Sequence, residues 1–250
     1  MAIQLDIVET PDKVAQKAAS IVANLIQAKP NAVLGLATGS TPVPTYKRLV
    51  QMHRKNGLSF AHITTFNLDE YVGLPESHEQ SYRFFMHQNF FQHIDIPPEQ
   101  THIPNGLAPD PDQECEAFES KIQSAGGVDL WLLGIGHNGH IAFNEPGSSS
   151  DSRTRLISIA PETITANSRF FDHPSQVPRQ ALTVGVATIL EAGKILLLAT
   201  GKDKALAVSK AMNGPVSPNW PASALQHHPD CTFILDQEAA SLMTFTHSTR

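Results

Sequence analysis

Short apolar runs alternate with amphipathic stretches along this chain, and the alternation sets the expected fold class. Residues 3–8, Ile-Gln-Leu-Asp-Ile-Val, read as a strand. Thr10-Pro11 then supplies an N-cap and a proline at the first helical position. Val14, Ala18, Ile21, Val22 and Leu25 recur at helical spacing, so the helix that follows buries one face. Lys29-Pro30-Asn31 ends it. Residues 32–37, Ala-Val-Leu-Gly-Leu-Ala, form an unbroken apolar run, the pattern of a strand covered on both sides. Comparable runs occur at 61–68, 129–135, 194–199 and 232–235, with helical stretches near 42–55, 78–92, 112–125, 185–191 and 203–212. The pattern predicts an α/β fold of one domain over residues 1–250. Its expected form is Rossmann-like and doubly wound, a mostly parallel central sheet with helices on both faces.

Residues 146–182 break the rhythm. They are rich in Ser, Pro, Arg and Thr, with one short helical piece near 162–171 between prolines. A connection of this length in a compact domain reads as a lid and binding-loop segment. The chain shows no internal repeat, low-complexity tract or domain linker.

Composition narrows the partners. Apolar residues at 41% and charged residues at 17% are the proportions of an ordered globular chain. No apolar run approaches the roughly 20 residues that span a bilayer. The first residues carry neither a basic n-region nor a long apolar h-region, so no signal peptide is expected. Cys115 and Cys231 lie far apart without metal-ligand spacing, which points to a reduced, cytoplasmic setting. A net charge of −6 and the lack of a basic stripe argue against nucleic acid or an anionic membrane as partner. A small anionic substrate stays open, because a local cluster of donors binds phosphate even inside an acidic protein.

Four polar motifs stand just past expected strands: Thr38-Gly39-Ser40-Thr41-Pro42, Asn67-Leu68-Asp69-Glu70-Tyr71, residues 134–146, and Thr200-Gly201-Lys202-Asp203-Lys204. In a parallel sheet, all four leave from one edge. Thr38 to Thr41 offer a glycine turn and hydroxyls ahead of a helix that Thr41-Pro42 is expected to cap, the chemistry of a phosphate cradle and also of an ordinary helix cap. Neither the Walker spacing nor the dinucleotide fingerprint is present, which disfavours ATP and NAD. Lys204 and Arg169 are cations that can reach the same anion, although such residues are most often solvated. Of Asp69 and Glu70, neighbours on extended chain, one is expected to face the crevice, as a base or as a structural cap. Residues 134–146, Gly-Ile-Gly-His-Asn-Gly-His-Ile-Ala-Phe-Asn-Glu-Pro, hold the densest chemistry. His137 and His140 read weakly as a metal pair, since Gly139 lies between them and no third ligand is evident. His140 oriented by Glu145 as an acid–base pair is more economical. His227-His228 beside Pro229 reads as a loop without function.

Taken together, these motifs resemble the glucosamine-6-phosphate deaminases (isomerising). The resemblance covers essentially the whole chain. It rests on residues 35–42, on Phe66 to Leu74, on Ser81-Tyr82-Arg83-Phe84-Phe85-Met86 and on Gly134 to Pro146. It continues through Ser152 to Arg155, Ala166 to Phe171, and Ala181 to Val186. It implies conversion of glucosamine 6-phosphate and water to fructose 6-phosphate and ammonia, without metal or organic cofactor. By the same resemblance His140 opens the sugar ring and Glu145 supports it. Asp69 moves the C2 proton to C1. Thr38, Gly39, Ser40, Thr41, Arg169 and Lys204 hold the phosphate. Asn138 stands where some members have aspartate, so it orients groups without carrying charge. Members activated by N-acetylglucosamine 6-phosphate use Ser148-like and Arg155-like residues and a lysine that falls at Ile157 here. Weak or absent allostery and a monomer or small homo-oligomer are therefore expected. The rival readings are a 6-phosphogluconolactonase-like hydrolase, which needs no C2 base, and a sugar-phosphate-sensing domain, which usually follows a helix-turn-helix module. The strand at residue 3 leaves no space for such a module.

Overall fold

The apolar runs form the strands of one sheet, and their alternate side chains fill two separate cores. The computed structural model describes residues 3–160, 163–165, 168, 171, 173 and 176–244. Its strands are β1 (Gln4–Val8), β2 (Val33–Leu36), β3 (Thr64–Asn67), β4 (Asp69–Tyr71) and β5 (Thr101–His102). They continue with β6 (Leu130–Leu133), β7 (Arg155–Ser158), β8 (Gln180–Thr183), β9 (Lys194–Ala199) and β10 (Cys231–Asp236). The helices are α1 (Pro11–Ala28), α2 (Val43–Asn56), α3 (Tyr82–Asn89), α4 (Pro111–Ser124), α5 (Val186–Leu190) and α6 (Ala205–Asn213). Seven strands pair in the order β1-β10-β9-β6-β2-β3-β5, and every pair is parallel. The expected central sheet is what forms.

Local chemistry explains where helices begin. Thr10 caps α1 by accepting from the Lys13 N–H, with Pro11 in the first turn. Asp110 caps α4 in the same way, accepting from Asp112 and Gln113 ahead of Pro111. Helix α2 differs from expectation. Its cap is Pro42, which makes no side-chain cap bond, so Thr41 does not close that terminus.

Alternate strand residues face opposite sides. Leu130 and Leu132 join α1, α2 and α3 in one core through Val14, Ala18, Tyr46, Leu49 and Met86. Trp131 and Leu133 join α4, α5 and α6 in the other through Phe118, Ile189 and Ala207. The chain runs from β2 outward to β3 and β5, then returns to place β6 on the other side of β2. The gap between the carboxyl ends of β2 and β6 is therefore the switch point, where loops diverge and a crevice opens.

The segment 146–182 departs from the reading of it as one long connection. It contains β7 and β8, which pair antiparallel with each other, and β8 also pairs antiparallel with β4. No local signal announces this sheet, because β4 is three residues long and its partner lies over a hundred positions away. The helical piece expected near 162–171 is described only in part, as a helical turn at 163–165. His228 also departs from expectation. It is buried, donating from Nε2 to the Ala192 carbonyl at 2.8 Å while Nδ1 accepts the Asp230 N–H at 3.1 Å. It is a structural pin.

Gly35 is the tightest point of the main core. It sits opposite Trp131 across the β2–β6 pair, and a Cβ there would lie 1.7 Å from the indole Cε3. The buried indole has no exposed direction to move. Gly35→Ala should therefore destabilise the protein by at least about 3 kcal/mol, the upper end of ordinary overpacking. Urea unfolding measures this, and an unchanged midpoint would refute the packing argument.

Candidate active site

Leu68 turns the chain from one sheet into the other and so places the residue that follows it. Its N–H donates to the Leu36 carbonyl of the main sheet at 3.3 Å, and its own carbonyl accepts from Val184 at 2.7 Å beside the small sheet. Asp69 is the first residue past this corner. It pairs with Thr183 in β8 and is buried. Among the described residues none hydrogen-bonds its carboxylate. Burial, reinforced by the neighbouring Glu70 carboxylate, pushes the Asp69 carboxyl up to about 8.

Glu70 takes the other role left open by the sequence. Its carboxylate accepts the N–H groups of Tyr71, Tyr82 and Arg83, so it holds β4 and caps the start of α3. Burial raises its pKa while those backbone bonds act against the rise. Glu70 is structural, and Asp69 is the carboxylate without a fixed donor.

The 134–146 loop is sewn to the same place. Thr183 accepts the Phe143 N–H on its hydroxyl at 3.1 Å. Asn144, fully buried, donates to the carbonyls of Ile141 and Val184. The Tyr71 and Phe143 rings lie 5.6 Å apart. One strand residue thus touches both Asp69 across the β4–β8 ladder and the loop that carries His140. At the turn itself Ala142 has φ +52°, a conformation L-residues adopt at a cost of order 1 kcal/mol.

His140 meets Glu145 only at long range, and Asn138 stands between them at close range, so an amide joins the expected acid–base pair. Its Nδ1 lies 2.7 Å from Asn138 Oδ1 and 3.5 Å from Glu145 Oε2. Asn138 in turn donates its amide to Glu145 Oε2 at 2.7 Å. The carboxylate can only accept, so the Asn138 amide must face it and its oxygen must face the histidine. His140 therefore donates from Nδ1, which leaves a lone pair on Nε2. Burial raises the Glu145 carboxyl, but the His140, Thr163 and Asn138 bonds outweigh it and hold the group down at about 2. The floor under the imidazole is Gly136, where a Cβ would come within 2.2 Å of the ring. His137 is exposed while His140 is half-buried, so the two histidines do not share one setting.

The residues expected to bind an anion follow strands of the same sheet. Loop 38–41 leaves β2 with Thr38 and Thr41 half-buried and Gly39 and Ser40 exposed. It leads into the uncapped start of α2, and the Tyr46 hydroxyl anchors it by donating to the Ala37 carbonyl at 2.5 Å. Lys204 ends the 3₁₀ turn Lys202–Lys204 after β9, two strand spacings from β2, about 10 Å. The buried Asp236 carboxylate fixes that turn by accepting the Gly201 N–H on both oxygens at 3.1 Å. Arg169 lies outside the described residues.

Three supporting groups escaped the sequence reading: Thr163, which donates to Glu145 Oε1 at 2.7 Å, and Thr183 and Asn144, which moor the loop. Their residue types are common in turns and strands. Only the fold reveals what each one holds.

Comparison with known proteins gives the family. Residues 6–234 match the family described as glucosamine-6-phosphate isomerases/6-phosphogluconolactonase. Glucosamine-6-phosphate deaminase 1 of Giardia intestinalis is 52% identical over 231 residues, 92% of this chain and 87% of that protein. The glucosamine-6-phosphate deaminase of Shouchella clausii is 51% identical over 237 residues, 95% of this chain and 96% of that one. A solved monomeric glucosamine-6-phosphate deaminase superposes with a TM-score of 0.94 at 49% identity, covering 96% of this chain and 100% of its own. The 6-phosphogluconolactonase of Trypanosoma brucei shares the fold at a TM-score of 0.78 and 20% identity, covering 97% of this chain and 99% of that one. This chain belongs to the glucosamine-6-phosphate isomerase/6-phosphogluconolactonase family.

Proposed function

We propose that the protein is a glucosamine-6-phosphate deaminase, converting its substrate and water to fructose 6-phosphate and ammonia. The observation that carries this reading is Asp69, a buried carboxylate with no fixed donor, beside a loop that presents His140 with a free Nε2. A proton on the carbon next to an aldehyde is a very weak acid in water. Its removal needs a base that is dry, close and not already engaged. Asp69 meets that need. A lactonase needs no such base.

In this reading the phosphate rests on Thr38, Gly39, Ser40 and Thr41 with Lys204 and Arg169, away from the bonds that change. His140 Nε2 takes the proton of the anomeric hydroxyl and returns it to the ring oxygen, which opens the ring. Asn138 and Glu145 stabilise the imidazolium formed on the way. Asp69 then removes the C2 proton and delivers it to C1. The enolamine is the intermediate between those two transfers, its O1 taking a proton from the substrate's own amino group; protonation at C1 gives the C2 imine, which water hydrolyses to the ketone with release of ammonia. Segment 146–182 covers the opened sugar. Phosphate binding supplies the energy to hold C2 over Asp69.

The monomeric deaminase that superposes on this chain supports a monomer. Arg155 donates to Asn144 and Ile157 packs against the apolar cluster of Tyr71, Phe143, Ile159 and Ala181, which supports weak or absent effector activation. No described helix is long and apolar enough to cross a membrane, which suits a dissolved substrate. The cytoplasmic setting remains part of this proposal.

Asp69→Asn should lower ammonia release in a coupled assay by about a thousandfold, the scale of a lost general base. Full turnover in that variant would remove Asp69 from the mechanism. The same substitution should stabilise the protein. A carboxyl raised from 3.8 to about 8 on folding costs stability progressively as pH rises between those values. The gain over wild type should therefore grow from pH 4 to pH 8 and reach a few kcal/mol, on the order of the linked pKa change. Thermal melts across that range would contradict the assignment if the two proteins kept a constant difference.

Activity should follow the ionised form of Asp69. Wild-type kcat/KM should rise with pH through about 8, with Glu145 ionised throughout at its value of about 2. A profile already flat from pH 6 upward would show that the base titrates elsewhere. N-acetylglucosamine 6-phosphate should leave initial rates unchanged at low substrate, and activation by it would overturn the effector reading.

A further inference from the structure

Glu145 has two carboxylate oxygens with separate partners. Oε2 receives the Asn138 amide that sets His140, and Oε1 receives the Thr163 hydroxyl at 2.7 Å. Thr163 lies eighteen residues further along the chain, in the helical turn at 163–165. Its seat is apolar: Ile164 packs against the cluster of Tyr71, Phe143, Ile159 and Ala181. Ile164 also donates its N–H to the Ala160 carbonyl at 2.9 Å, which closes the turn. The surface under the turn is therefore made of β4, which carries Asp69, and of the loop that carries His140.

We propose that Thr163 is a positioning residue for the proton relay, fixing Glu145 and through Asn138 the Nδ1–H tautomer of His140. The inference rests on the deaminase reading and extends it to a residue that touches neither substrate nor imidazole. With Oε1 held, the carboxylate plane is set and Oε2 meets the Asn138 amide. An amide fixed in that sense offers only its oxygen to His140. Without the hydroxyl, the carboxylate rotates and Asn138 keeps only the long 3.3 Å bond from the His140 backbone N–H to hold its oxygen in place, so the preference for the Nδ1–H tautomer weakens. The relay is then complete only while the 163–165 turn rests on its apolar seat.

Three variants test this. Thr163→Val keeps the shape and removes the hydroxyl, and Thr163→Ser keeps the hydroxyl and trims the shape. Thr163→Ala replaces the valine variant should that protein lose its cooperative melt. In ¹⁵N spectra of histidine-labelled protein at alkaline pH, His140 is identified by the signal missing from His140→Gln. The wild type and Thr163→Ser should show a single Nδ1–H tautomer, and Thr163→Val a mixture. Turnover should fall about tenfold in Thr163→Val with KM within about twofold, and recover in Thr163→Ser. A single tautomer with unchanged kcat in Thr163→Val would overturn the proposal, and so would a rise in KM alone. Ammonia release by the wild type judges the deaminase reading separately. The tautomer spectrum reads the relay without any turnover.

Discussion

The chemistry of this protein depends on a short antiparallel ladder. Asp69 is dry because β4 pairs with β8, and Thr183 of that pair also holds the backbone of the His140 loop. Among the described residues none donates to the Asp69 carboxylate, so the surrounding fold bears the cost of burying it. A lone buried carboxylate is tolerated because it protonates, and one whose pKa lies near the working pH serves as a base. The same cost explains the mooring of its neighbours. Glu70 takes three backbone N–H groups, and Asn144 takes two carbonyls and the Arg155 guanidinium. Glu70 and Asn144 are thus tied elsewhere, and among the described residues none hydrogen-bonds the Asp69 carboxylate.

Two carboxylates of one site are driven in opposite directions. Asp69 rises to about 8 in a setting without donors, and Glu145 falls to about 2 among three. In the proposed reading, this separation lets one site hold a proton acceptor for carbon and a permanent anion for an imidazolium. Asn138 is the reason Glu145 can do this without facing His140 squarely. A charged residue in its place would set two anions about one hydrogen bond apart. The amide transmits orientation without adding charge, and its two ends are chemically distinct. A relay built on an amide has a direction, and so the tautomer of His140 has one as well.

Much of the fold was legible because the strands are buried on both faces. Runs such as 32–37 and 194–199 announce themselves by unbroken apolarity, and Thr10-Pro11 marks a helix start by local chemistry alone. The small sheet was hidden for the complementary reason. Its strand at 69–71 reads Asp-Glu-Tyr and its partners come from distant, polar chain, so only tertiary pairing makes it a strand. The site divides along the same line. Glycines, histidines and carboxylates within residues 134–146 can be read directly as proton chemistry. That Asn138 stands between His140 and Glu145 cannot be read, because residues two and seven apart along an irregular loop have no fixed distance. Asp69 and Glu70 cannot be told apart in the sequence for the same reason. The start of α3, thirteen residues on, decides between them by taking Glu70 as its cap.

The topology also explains why the site is split. The switch point lies between β2 and β6, and the two kinds of function fall on different strands around it. The 38–41 loop and Lys204 follow β2 and β9, while Asp69 and His140 follow β3 and β6. The strands on the anion-binding side alternate with those on the proton-handling side. In the proposed reading, a sugar phosphate lying across the edge meets anion-binding and proton-handling groups on neighbouring strands. Energy gained at the phosphate can be spent on holding C2 against a carboxylate that water would otherwise solvate. Neither half suffices alone. An anion site without the dry base binds the sugar and leaves it unchanged, and a dry base without that site has nothing to hold the carbon in reach.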